Sequence, residues 1–212
     1  EFMTWPDGGT TPFHGEKGTT WEGGFRVPMI VKWPGKVAPG TINNGILDSM
    51  DWWPTLVEAA GGPQDLNKKL LSGYEGYKAH LDGYNQMELL TGSGVSSRNE
   101  IIYYEGTTLQ AVRYNDWKAH FIVQNGGWFG GKEKLGAPLL FNLRRDPFEK
   151  AADDSGMYVN WMGKKMWAFG PARDIVRAHL ATFEEWPPIS ASATANKQNL
   201  KEQVEGEHKM GN

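Results

Sequence analysis

The stretch from Ile101 to Leu143 constrains the fold more than any other part of the chain. It contains four short runs, IIYYEG, LQAVRYN, DWKAHFIVQ and PLLFNL, separated by turn residues such as Asn115-Asp116 and Asn125-Gly126-Gly127. Apolar runs this short, joined by turns this tight, pair most simply as successive hairpins, which predicts a small antiparallel sheet. Such a sheet needs a cover for its apolar face. The next strong signal supplies one: PARDIVRAHLATFEEW opens on a proline and spaces Ile175, Val176, Leu180 and Phe183 along one helical face. Residues 91–190 are therefore expected to form an α+β subdomain, a small antiparallel sheet packed by a helix.

The first 90 residues follow a different pattern. RVPMIVKW, residues 26–33, is an apolar run between Gly24 and Pro34-Gly35 and predicts a buried strand. Asp51 is placed to cap a helix over WWPTLVEAA, with Trp53, Leu56, Val57 and Ala60 on one face and Gly61-Gly62 as its stop. Residues 63–83 predict a long polar loop, and Tyr84–Leu90 a short helix. Residues 1–90 thus form an α/β portion, with a boundary between about 63 and 100 and a polar tail over 191–212. The opening 24 residues are rich in Gly, Thr and Pro and have no period, so they predict a loop whose ends a larger scaffold would have to hold.

Composition removes several function classes. The net charge of −3 and the scattering of Lys and Arg among acids argue against nucleic-acid binding. The 212 residues include no cysteine, which excludes disulfides, thiolate metal sites and a cysteine nucleophile within them. No apolar run reaches the ~18 residues of a membrane span, and no signal peptide opens the chain. Ten tryptophans and 27 glycines fit aromatic packing in a loop-rich fold, or else a carbohydrate or aromatic-ligand surface.

The candidate chemistry lies in Gly15-Glu16-Lys17-Gly18-Thr19-Thr20-Trp21-Glu22-Gly23-Gly24. A lysine flanked by glycines suits an oxyanion: the ammonium is a point charge, and glycine lets backbone N–H groups approach the same ligand. On residue chemistry alone, a solvated lysine in a turn is the simpler reading. The spacing of a nucleotide P-loop is absent. Of the remaining ionisable residues, His80 and Asp82 share a Gly-bounded loop, two ligands being too few for a firm metal site. His120 lies in a strand pattern and predicts packing, and Arg144-Arg145-Asp146 predicts a structural ion pair.

The run PFHGEKGTTWEGGFRVPMIVKWPG resembles a signature region of the sulfatase family, a Gly-Lys-x-x-x-x-Glu-Gly-Gly pattern before a Trp-Pro-Gly turn. DWWPTLVEAAG, YKAHLDGYNQ with its Leu-Leu-Thr-Gly, and VRYNDWKAHF leading to LLFNLRRDPFE resemble the same family in the same order. The resemblance covers most of residues 4–150. It implies the end of an alkaline-phosphatase-like α/β domain followed by the α+β subdomain. It also implies sulfate-ester hydrolysis, the activity of an arylsulfatase-type sulfuric ester hydrolase, through a formylglycine nucleophile and a divalent metal, usually Ca²⁺.

Lys17 matches the family's sulfate-binding cation. His14, where the family more often carries Arg or Lys, Glu22, His80 and Asp82 are candidates for the substrate cleft. Of these, His14 reads more simply as a tolerant loop position, and Glu22 as a group that pins the loop or neutralises Lys17. The nucleophile motif is missing, since Gly94-Val95-Ser96-Ser97-Arg98 lacks its proline. The metal-binding aspartates also fall outside the chain, and Asp7 is not one of them. The chain alone is therefore expected to hold no metal and to be inactive. Its expected partners are a sulfate ester in the complete enzyme and either the N-terminal half or a second copy; neither nucleic acid nor membrane is expected. By resemblance the compartment is periplasmic or extracellular. A phosphate or phosphonate ester hydrolase of the same superfamily, or a non-catalytic glycan- or protein-binding module, are the alternatives.

Overall fold

The computed structural model describes residues 11–187, so the readings of Asp7 and of the 191–212 tail lie outside the described residues. The chain divides into two compact units, Glu1–Val27 with Ile102–Asn212, and Pro28–Ile101. The loop around Lys17, grouped by sequence with residues 1–90, belongs to the same unit as the sheet.

Strands β1 (Glu100–Glu105), β2 (Thr108–Tyr114), β3 (Trp117–Gln124) and β4 (Lys132–Asn142) form a four-stranded sheet in chain order, as the turn signals predict. β2 and β3 are antiparallel and close on the Tyr114↔Trp117 pair, leaving Asn115-Asp116 as a two-residue turn. Asn115 takes φ +48° there, a left-handed conformation that asparagine accepts better than most residues. β3 and β4 are antiparallel too, with a register irregularity between His120 and Ile122.

Beyond the short helix α6 (Tyr158–Gly163), helix α7 (Phe169–Glu185) covers one face of the sheet. Val112, Ala119 and Leu140 meet Ala168 and Ala172 there, with Ile175 and Val176 packed alongside. The proline that opens the helix signal, Pro171, sits in its first turn, where the missing N–H has no intrahelical partner to lose. On the opposite face Trp21 packs with Val123, Phe141 and Leu143. Strict alternation from His120 would send Val123 to the helix side. The extra residue at the bulge resets the alternation, so His120 and Val123 both meet Trp21.

Residues 26–33, most of which belong to the other unit, form no strand. A strand requires a partner for its N–H and C=O groups, and none of the described residues supplies one. Ile30 is 97% exposed. Helix α2 (Trp52–Ala59) forms with Asp51 at its N-cap position, as predicted, but no side-chain bond from Asp51 caps it. Asp48 caps the 3-10 turn over Ser49–Asp51 just before it and exchanges capping bonds with Asp51. Asp51 instead lies buried beneath the guanidinium of Arg98, at 2.6–3.0 Å, and accepts from the Gln86 amide. It is a hub, which the N-cap reading did not foresee. Within the expected long loop, residues 66–72 form α3 (Leu66–Ser72), and the short helix after it is α4 (Met87–Thr91).

Candidate anion-binding site

The Lys17 loop rests on a buried ionic cluster. Lys118 on β3 is fully buried, and its ammonium makes three contacts: 2.7 Å to the Thr20 carbonyl, 2.9 Å to Glu22 Oε1 and 3.1 Å to Glu149 Oε1. It donates hydrogen bonds to the first two and pairs in charge with the third, so a buried lysine is tolerated at this position. Glu22, in the short helix α1 (Glu22–Phe25), also accepts from the Tyr103 hydroxyl at 2.7 Å and from Arg26 at 2.5 Å. Burial alone pushes its carboxyl up, but the charge of Lys118 and the bonds from Arg26, Lys118 and Tyr103 outweigh it and hold it down at about 2.

Glu149 joins the loop to the sheet. One carboxylate oxygen accepts the Glu22 backbone N–H at 2.6 Å, and the other meets His120 Nε2 at 2.7 Å. Its own backbone sits at φ +51°, a conformation that costs a non-glycine residue about 1 kcal/mol and that these contacts over-determine. Burial and the charge of Lys118 push the His120 imidazole down to about 4 against the pull of Glu149, so the ring is neutral at pH 7. A carboxylate partner at Nε2 places the proton there. Nδ1 is then a bare lone pair, consistent with its having no partner among the described residues.

Above this base the loop displays Lys17. Thr19 closes a turn onto the Glu16 carbonyl with both its N–H, at 3.1 Å, and its hydroxyl, at 2.7 Å. The Gly23 N–H reaches back to the His14 carbonyl at 2.7 Å. Trp21 lies beneath, stacked on His14 at 4.1 Å, its indole donating to the Gln124 carbonyl at 3.1 Å. Lys17 itself is exposed, its ammonium 4.9 Å from the centre of the Trp128 ring. The arrangement offers an anion a cation on a short, fixed loop.

The candidates named from sequence divide accordingly. Lys17, His14 and Glu22 lie in one segment of one unit. Glu22, a cleft candidate on sequence, is 1% exposed with both oxygens engaged, so it anchors the loop and does not face a ligand. His14 is half-buried, its Nδ1 3.3 Å from the Glu149 carbonyl. His80 and Asp82 lie in the other unit, Nδ1 to Oδ1 3.5 Å apart, with the Asp82 side chain half exposed. His120 packs, as its strand position predicts, and also bonds. Asp146 accepts the backbone N–H groups of Lys150 and Ala151, so it caps the turn into α5 (Ala151–Asp154) where an ion pair with its neighbours was expected.

Sequence reasoning missed Lys118 and Glu149. The one available signal was a lysine among apolar residues in WKAHFIVQ, at a strand position that alternation places beside His120 and opposite the helix-facing Ala119. Among the described residues no group of three or more His, Asp or Glu side chains is placed to hold a metal ion, and Glu22 and Glu149 are already saturated by cations and N–H donors.

Residues 96–206 match the family described as the C-terminal region of aryl-sulfatase, and residues 6–62 match the sulfatase family. The chain belongs to the sulfatase family. It is similar to steryl-sulfatase of Mus musculus, 33% identical over 65% of this chain and 24% of that protein, and to arylsulfatase A of Homo sapiens, 34% identical over 63% of this chain and 27% of that protein. It thus spans about a quarter of the length of these curated relatives. Among solved structures it resembles the PsFucS1 sulfatase from Pseudoalteromonas sp., with 30% identity and a TM-score of 0.70 over 88% of this chain and 36% of that one.

Proposed function

We propose that this chain is the carboxy-terminal portion of an arylsulfatase-type sulfate-ester hydrolase, and that Lys17 is its contribution to holding the sulfate group. The observation that carries the reading is the exposed Lys17 ammonium on a glycine-flanked loop fixed from below by the Glu22–Lys118–Glu149–His120 cluster. A preorganised cation beside a transferring oxyanion stabilises the charge that develops there, and it does so without reorganising at the moment of reaction.

In this reading the formylglycine nucleophile and a divalent metal such as Ca²⁺ reside on segments outside these 212 residues, and the chain alone does not turn over. The lack of cysteine supports this, as does the saturation of the buried carboxylates by other partners. The apolar surface of the Pro28–Ile101 unit, with Ile30 97%, Ile42 89% and Trp53 63% exposed, is the ground for a partner: the amino-terminal portion of the same enzyme or a second copy. By family resemblance the compartment is periplasmic or extracellular. No helix among the described residues is long and apolar enough to cross a membrane.

Intact-mass analysis beside an aryl-sulfate assay with Ca²⁺ tests the proposal. Activity is expected only where a second polypeptide segment accompanies this one, and Lys17→Ala in that active form should lower kcat/KM by about 10²–10³. Turnover by the pure 212-residue chain, or an active enzyme indifferent to Lys17→Ala, would overturn it.

A further inference from the structure

We propose that Trp128, with Phe129 beside it, forms the specificity-determining wall for the organic part of the sulfate ester, selecting substrates that present a flat ring face. The inference rests on the reading of Lys17 as the sulfate-holding cation and adds the class of group that the sulfate is attached to.

Geometry places the wall. The Lys17 ammonium lies 4.9 Å from the Trp128 ring centre. An oxyanion in contact with that ammonium sits about 3 Å from it, so a ring attached to the sulfate falls within reach of the indole. Trp128 is 54% exposed and Phe129 91%, and their rings lie nearly parallel, 15° apart, with centres 6.0 Å from each other. The two rings are stacked one over the other, and the stack presents exposed aromatic surface beside the cation.

The wall is held in place by polar bonds rather than by burial. The Trp128 backbone N–H donates to Glu16 Oε1 at 3.0 Å, on the residue next to Lys17. The buried Gln124 amide donates to the Gly127 carbonyl at 3.0 Å and to the Trp128 carbonyl at 2.8 Å. Gly18, at φ +86°, opens the space: a Cβ there would lie 2.6 Å from Trp128 Cδ1. Two large aromatic side chains kept at the surface forgo the stabilisation of burial. Fixed next to a cation, they match a ligand with an anionic end and a ring. An aryl ring and the C–H face of a pyranose share that chemistry and differ in source.

The test is a titration of ¹⁵N-labelled protein, following the Trp128 indole N–H signal, which is assigned by its loss in Trp128→Phe. The probes are sodium sulfate, methyl sulfate, phenyl sulfate and a monosaccharide sulfate. Ring-bearing esters should shift the Trp128 signal and bind more tightly than methyl sulfate. Trp128→Ala should weaken them roughly three- to tenfold while leaving inorganic sulfate unchanged, and Lys17→Ala should weaken every probe. A response to phenyl sulfate alone assigns the aryl source, and a response to the sugar alone assigns the saccharide. Ring esters that bind Trp128→Ala as well as the parent sink the wall and leave the Lys17 reading standing. Binding indifferent to Lys17→Ala, or no binding of any probe, overturns both.

Discussion

At the residue scale, the buried groups around Lys118 tie folding to pH, and the sign follows from the direction of each shift. His120 titrates at about 4 in the fold against 6.5 in its absence. Between those values the unfolded chain binds more protons, so stability is lost as pH falls from about 6.5 to about 4. Glu22, held at about 2 against 4.5, contributes stability above 4.5 that disappears as pH drops towards 2. The urea midpoint should therefore decline in two stages on acidification, and the first stage should amount to a few kcal/mol. His120→Gln can still donate from its amide to Glu149 but cannot titrate, so its midpoint should stay level from pH 7 to pH 5. A parent midpoint that does not fall between pH 6.5 and pH 4.5 would contradict a buried neutral imidazole.

At the element scale, the loop over residues 13–25 is held by close backbone approaches. A Cβ at Gly23 would collide with the carbonyl oxygens of Gly15, His14 and Phe13, all backbone atoms with no rotamer to move. Gly23→Ala should cost about 1–3 kcal/mol and should loosen sulfate binding through the displaced Lys17. Gly136→Ala is the control. It lies exposed in β4 with no heavy atom near its added Cβ, and its effect should stay within about 0.5 kcal/mol. Thermal unfolding and sulfate titration of both variants measure this, and equal effects at the two positions would refute the role given to the close approach.

At the scale of the whole molecule, the connectivity is discontinuous: the segment before Pro28 and the segment after Ile101 build one unit, and the chain between them builds the other. The second unit leaves apolar residues uncovered, among them Trp53 and Leu56 on α2 at 63% and 56% exposure. The 212-residue chain should self-associate in sedimentation velocity experiments, and Trp53→Lys with Leu56→Lys should shift it towards the monomer. A parent chain that sediments as a single monomer at micromolar concentration would rule out an uncovered contact face.

The sequence determined the parts of this protein that depend on local period and turn chemistry. The four strands, the Asn115-Asp116 hairpin and the amphipathic α7 were legible because alternation and capping act over a few residues. The glycine-flanked Lys17 suggested the anion loop of the proposal for the same reason. Other features depended on residues far apart in the chain. Whether residues 26–33 paired depended on a partner strand, which local apolarity does not provide. Asp51 became a hub because Arg98, 47 residues away, reached it. Between the cleft and anchor readings of Glu22 the anchor holds because Lys118 and Glu149, 96 and 127 residues further along, converge on it. Burying a charge is favourable only when its partners arrive together, and only the tertiary structure decides whether they do.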